Sequence, residues 1–120
     1  MVLGIVGNRG VSFGQCANII CQNIQALTPE LVVSGGARGV DSHAVRVAKA
    51  LGVPVREFLP VGLSTIGKAA YFKRNREIAR ASDVLLCIYT GCAPVGGTAY
   101  TQRFASGLGV RVVPVFLGLL

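Results

Sequence analysis

Five short, almost wholly apolar runs punctuate this chain, and the segments between them repeat their apolar residues at helical spacing. That alternation constrains the fold more than any single motif. The runs are VLGIV (residues 2–6), LVVS (31–34), VPVREFL (53–59), DVLLCIY (83–89) and VRVVPVF (110–116). A strand that is apolar on both sides has to be covered on both faces. The intervening segments supply the cover. In 11–27, Phe13, Ala17, Ile20, Ile24 and Leu27 share one helical face, Ser12 is the candidate N-cap, and Pro29 closes the segment. Residues 41–51 place Ala44, Val47, Ala48 and Leu51 on one face and stop at Gly52. Segments 68–81 and 98–108 complete the set. Strands alternating with helices predict the α/β class: a doubly wound, Rossmann-like, three-layer domain with a parallel five-stranded sheet of order 3-2-1-4-5. Pro54 suits an edge position for the third strand. With 120 residues and no linker, repeat or low-complexity tract, a single domain over 1–120 is expected.

In that order the connections reverse direction between the first and fourth strands, and ligands of such sheets bind at the carboxyl ends of the strands beside the reversal. Three glycine-rich turns fall there. GNRG contributes Gly7, Asn8 and Arg9; SGGARGVD contributes Ser34, Gly35, Gly36, Arg38, Gly39 and Asp41; TGCAPVGGT contributes Gly96, Gly97 and Thr98. Each leads into a helix N-terminus, where free N–H groups and the helix dipole favour an anion. Glycine lets the backbone take positive φ and approach a phosphate closely. Arg38 is expected to anchor that phosphate through a charge-assisted contact, and Asp41 to cap its helix or face a ribose hydroxyl. Neither a Walker loop nor a complete GxGxxG is present.

Composition points the same way. Twelve Lys+Arg against five Asp+Glu give a formal charge of +7, which suits a nucleotide or a nucleic acid. Five cations, Lys68, Lys73, Arg74, Arg76 and Arg80, lie on the 68–81 helix, spread around it. Asn75 is a poor residue for mid-helix and is expected there for its hydrogen bonds. The 52% hydrophobic and 14% charged content excludes a disordered chain. The apolar surplus predicts self-association, with the 68–81 and 98–108 helices as the interface through Ile78, Tyr100 and Phe104. No apolar run reaches the ~20 residues of a membrane span, and no signal-peptide pattern opens the chain, so a cytoplasmic location without membrane contact is expected. Cys16, Cys21, Cys87 and Cys92 lack metal-ligand or redox spacing and read as small buried thiols. No metal or cofactor is expected. His43, the sole histidine, reads as a surface residue.

VSGGARGVDSHA, YFKRNREIARASDVLLCIYTG and GGTAYTQRFA, in this order, resemble the SLOG superfamily, a Rossmann-like group that includes the DprA/Smf proteins, the Lonely Guy (LOG) phosphoribohydrolases and the small YspA- and YpsA-related proteins. The last of these are nearest in length and motif. The resemblance implies a pocket for a nucleotide-derived ligand, with Gly7, Arg9 and the 34–41 turn on the phosphate and sugar side and Arg74, Asn75, Gly96, Gly97 and Thr98 closing the other side. It also implies an alternative, a LOG-like nucleotide N-glycosidase using Arg74 with Glu77. Against that, Thr101 occupies the position where LOG enzymes carry a catalytic glutamate. A second alternative is DprA-like binding of single-stranded DNA, for which Tyr71, Tyr89 and Tyr100 are the candidate base-stacking residues.

Overall fold

A computed structural model describes residues 1–119. The elements run β1 (Val2–Gly7), α1 (Phe13–Leu27), β2 (Leu31–Ser34), α2 (Val40–Ala50), β3 (Val55–Glu57), α3 (Leu63–Ile66), α4 (Ala69–Ala81), β4 (Val84–Tyr89), α5 (Gly96–Gly107) and β5 (Arg111–Phe116). They form one five-stranded sheet of order β3-β2-β1-β4-β5 in which every pairing is parallel. This is the α/β, doubly wound arrangement expected from the sequence.

The period-two alternation of the strands divides the core. Leu3 and Ile5 of β1, Val32 of β2, and Val84, Leu86 and Ile88 of β4 point to one face and meet Cys16, Ile20 and Ile24 of α1 and Ala44, Val47 and Ala48 of α2. Val6, Val33, Leu85, Cys87 and Tyr89 point to the other face and meet Ile78 and Ala79 of α4 and Ala99 and Ala105 of α5. β4 is buried at every position, as a central parallel strand should be. Gly4 lets α4 sit close, since a Cβ there would collide with the Ser82 side chain and the Leu85 methyl. At the foot of the sheet the Val2 N–H donates to the Asp83 carboxylate (2.7 Å). Ser12 caps α1, its N–H donating to Gln15 Oε1 (2.8 Å).

Several expectations need correction. β3 is three residues long rather than seven, because the sheet edge it occupies offers no second partner and Phe58 already turns away after its N–H donates to the Ser34 carbonyl. The connection at 58–68 contains the short helix α3, entered and left through positive-φ Gly62 and Gly67. Leu51 is exposed because it ends α2 instead of continuing its apolar face. Ile78 is fully buried against the sheet and cannot serve an outer interface. Of the cysteines, Cys16 and Cys87 are buried, but Cys92 is exposed on the loop after β4. Burial pushes the Cys87 thiol up to about 12, so it is inert at neutral pH. Among the described residues no helix is long and apolar enough to cross a membrane, and no group of His, Cys, Asp and Glu could hold a metal.

Candidate functional site

The three glycine turns converge, and close backbone approach makes them do so. Gly39 has φ 78° and lies against the first turn, where a Cβ would fall within 2.4 Å of the Arg9 carbonyl oxygen. Gly7 has no room for a Cβ between Val40 of α2 and the Ile88 carbonyl of β4. Asn8 closes the seam: its N–H donates to the Ile88 carbonyl (3.1 Å), and its Oδ1 accepts from the Thr90 N–H (2.8 Å). The carboxyl ends of β1, β2 and β4 are thereby locked together beside the topological reversal.

Above them lies a cavity of about 500 Å³. The first turn contributes Gly7, Asn8 and Arg9; the second contributes Ala37 and Asp41; α5 contributes Gly97, Thr98 and Thr101. α4 contributes Tyr71, Phe72, Arg74 and Asn75, with Lys68 just before it. A second depression, of about 260 Å³, shares Arg9, Ala37, Tyr71 and Arg74 with the first and adds Gly35, Gly36, Arg38 and Pro60.

Arg74 is the centre of both. On α4 it stands between Ala70 and Ile78 in the stripe that faces the sheet, and it is only 6% exposed. A guanidinium in a core position has to be hydrogen-bonded. Its Nη1 donates to the Gly35 carbonyl and, at 3.5 Å, to the Phe58 carbonyl; its Nε donates to Asn75 Oδ1 (2.8 Å). That contact accounts for the asparagine in mid-helix. Nη2 has no partner among the described residues, yet no fully covered side-chain nitrogen or oxygen is left unpaired there. Nη2 therefore reaches open space, and the open space beside Arg74 is these two cavities.

Charge at the site is unbalanced. Arg9, Lys68 and Arg74 line the larger cavity, and Asp41 is its only carboxylate. Asp41 does not cap α2, whose N-cap is Gly39. Its Oδ2 instead accepts from the Ala37 N–H (3.2 Å), holding the second turn in shape. Among the described residues the only ion pair joins the N-terminal ammonium to Glu30, so Asp41 and Arg74 are near but not paired. Gly35 separates them; a Cβ there would approach both to within 2.8 Å. Burial pushes the Asp41 carboxyl up to about 6, against the Ala37 N–H, the charges of Arg74 and Arg9, and Ser34, which pull it down. Burial also lowers the pKa of Arg74, which Asp41 partly offsets; an arginine remains a cation regardless.

Of the residues singled out in the sequence, Gly7, Asn8, Arg9, Asp41, Arg74, Asn75, Gly97 and Thr98 line the larger cavity. Gly35, Gly36 and Arg38 line the depression. Arg38 is exposed and outside the main cavity, so the central cation is Arg74. Ser34 lies buried beneath the turn, its Oγ near the Asp41 carbonyl (3.4 Å). Gly39 and Gly96, both at positive φ, shape the turns without lining either space. Glu77 lines neither, so the structure does not bring it to Arg74's open side. His43 Nε2 donates to the Val11 carbonyl (2.9 Å), with its ring edge-on to Phe13, as part of the scaffold. Tyr89 is buried, and Tyr100 accepts a hydrogen bond from Arg76 (3.0 Å); of the three tyrosines only Tyr71 reaches the cavity. Two guanidiniums approach its ring, Arg9 at 5.4 Å and Arg74 at 5.7 Å from its centroid.

From the sequence Lys68 was read only as one of the basic helix's cations, Tyr71 only as a candidate base-stacking residue, and Phe72 not as a site residue at all. They stand at i, i+3 and i+4, with Asn75 at i+7, and so form one helix stripe beside the glycine turns. The spacing was there to be read.

No protein-family model and no curated protein matches this chain. A solved structure does: DNA processing protein A (DprA) from Streptococcus pneumoniae, with a TM-score of 0.60 over 92% of this chain at 19% identity. The two share a fold. This chain spans 57% of the length of the DprA chain, and at that identity the likeness is one of fold.

Proposed function

We propose that the protein binds a phosphate-bearing, nucleotide-derived ligand in the cavity above β1, β2 and β4, as a member of the SLOG group close to the YspA- and YpsA-related proteins. The observation that carries this reading is Arg74: a buried guanidinium with two nitrogens fixed by the protein, no carboxylate in ion-pair range and a third nitrogen open to the cavity. A buried charge whose nearest carboxylate stands beyond ion-pair distance is incompletely compensated, and an anionic ligand relieves that cost. Two more cations at the walls and free N–H groups at the start of α5 suit the same anion. Phe72 and Tyr71 offer flat apolar faces to a base.

The N-glycosidase reading fares less well. Such chemistry prefers two carboxylates, or a carboxylate and a positioned acid, on opposite sides of the scissile bond. Asp41 is the only carboxylate in the cavity, and the Thr101 hydroxyl donates to the Gly97 carbonyl (2.8 Å) rather than pointing a charge at a ligand. Binding of single-stranded DNA has one specific observation behind it beyond the shared fold. Phe72, 41% exposed on the cavity rim, begins a row in which it meets Tyr100 at 4.8 Å and Tyr100 meets Phe104 at 6.5 Å, flanked by Arg76 and Arg80. Aromatic and basic residues in alternation suit a phosphodiester strand.

Calorimetry with adenosine 5′-monophosphate and with an oligothymidylate separates the readings. Under the leading one, the mononucleotide binds and Arg74→Met weakens it about ten-fold or more, as expected for a lost charge-assisted contact. Binding of the oligonucleotide alone, weakening steeply with salt, would favour the strand reading instead.

A further inference from the structure

The nine residues 59–67, between β3 and α4, break a rule that most of the chain keeps. Four of them are large and aliphatic, Leu59, Val61, Leu63 and Ile66, and all four stand in water, Val61 at 78% exposure. None of the nine is buried. Exposed apolar groups clustered this closely mark a surface that something covers. The segment is also held only at its ends. Among the described residues its hydrogen bonds run to one another and to Ala70, as from the Ile66 N–H to the Gly62 carbonyl (2.8 Å). α3 packs chiefly against α4, and Gly62 (φ 85°) and Gly67 (φ 59°) bracket it with the torsional freedom a hinge needs. Both ends sit at the cavity wall. Before the segment, the Phe58 carbonyl accepts from Arg74 Nη1 at 3.5 Å; after it, Lys68 lines the larger cavity. Leu59 lies against Gly36, where a Cβ would come within 2.6 Å of its methyl. Yet none of the four aliphatic side chains lines either space.

We propose that residues 59–67 are a lid: when a ligand occupies the cavity, α3 turns on Gly62 and Gly67 and lays the aliphatic side chains of 61–66 over the occupant. This rests on the reading of the cavity as a nucleotide site and adds how that site closes. A bound ring bridges the span between these side chains and the faces of Tyr71 and Phe72, so closure covers apolar surface on both sides at once. It also takes water away from the contact between Arg74 and its anion, which strengthens that contact. The trigger is built into the anchor. The bond from Arg74 to the Phe58 carbonyl is long, so an anion that draws on Arg74 acts directly on the start of the segment.

The chain has no tryptophan, so Ile66→Trp puts a single fluorescent reporter in the segment, and Leu51→Trp puts a control at the C-terminal end of α2. Both positions are exposed. The probe is adenosine 5′-monophosphate, with binding followed separately by calorimetry. The expected result is a blue shift and protection from acrylamide quenching in Ile66→Trp as the probe saturates, and no change in Leu51→Trp. The double variant Val61→Ser with Leu63→Ser alters side chains that are already exposed, so its thermal melt should match that of the unaltered protein. It should bind the probe about five-fold or more weakly, with the loss in the dissociation rate, because the apolar area that closure covers is gone. Binding by calorimetry with no change in Ile66→Trp, or an unaltered dissociation rate in the double variant, would overturn the lid and leave the nucleotide reading standing. Absence of binding to the unaltered protein would remove that reading and this inference together.

Discussion

The two faces of the sheet are built to different specifications. On the α1–α2 face the buried side chains are apolar from Leu3 and Ile5 through Ile20 and Ile24 to Val47, and polar only at the site end, where Ser34 and Asp41 meet. On the α4–α5 face the apolar cluster is smaller, and Arg74, Ser82, Thr98 and Thr101 are buried in the same layer. Both faces belong to one sheet and meet at the same strand ends. The comparison teaches a division of labour: one face supplies cohesion, and the other gives up part of its cohesion to hold a cation and hydroxyls beside a cavity.

Substitutions can sharpen that division or break it. The largest expected effect is on the cohesive face. Ile20→Ala should lower stability by about 2–5 kcal/mol in urea unfolding, the range for a large aliphatic residue truncated in a tight core. The molecules that remain folded should keep their nucleotide affinity. A matching loss of affinity per folded molecule would show that the faces are not separate.

A smaller effect is expected from Asp41, at the site end of α2. Its folded carboxyl is raised to about 6 from an ordinary 3.8, so between these values the folded state binds more protons than the unfolded. Stability from this group is therefore fully present below about pH 4 and is lost as pH rises through about 6. Asp41→Asn should remove that downward slope, and urea midpoints measured from pH 4 to 8 would reveal it. Binding a phosphate nearby should raise the carboxyl further, so ligand binding is expected to take up protons near pH 6.5. An unchanged slope in Asp41→Asn would place the burial cost elsewhere. The smallest effect should come from Arg80→Ala. Arg80 lies over Phe104 at 5.2 Å, exposed and outside both cavities, and its loss should change nucleotide affinity by less than about two-fold.

The legibility of the sequence follows the same division. Strand order and the cohesive face were readable because apolar periodicity reports burial directly: Phe13, Ala17, Ile20, Ile24 and Leu27 fall where the spacing puts them. The three turns were readable because glycine there meets a backbone need: positive φ at Gly36, Gly39 and Gly96, and close approach at Gly7. The direction of a side chain leaving such a turn was not readable. Arg38 sits between Gly36 and Gly39, both at positive φ, and it lies outside the larger cavity. Arg74 was named through the family resemblance, but its burial and central place could have been read from the residues themselves. A cation between Ala70 and Ile78 on a helix's buried stripe is an exception that asks for a partner, and it was obscured by four other cations on the same helix. The span 58–67 has no period, so neither α3 nor the place of Pro60 at the rim was foreseeable.

The central claim is that the polar face at the switch point, and not the basic surface at large, is where a nucleotide binds. Amide chemical-shift mapping during titration with adenosine 5′-monophosphate tests it most directly. The expected result is a compact set of shifts at residues 7–9, 37–41, 71–75 and 97–101, with the outer surfaces of α1 and α2 silent. Shifts scattered over exposed lysines and arginines, fading together as salt is added, would contradict it.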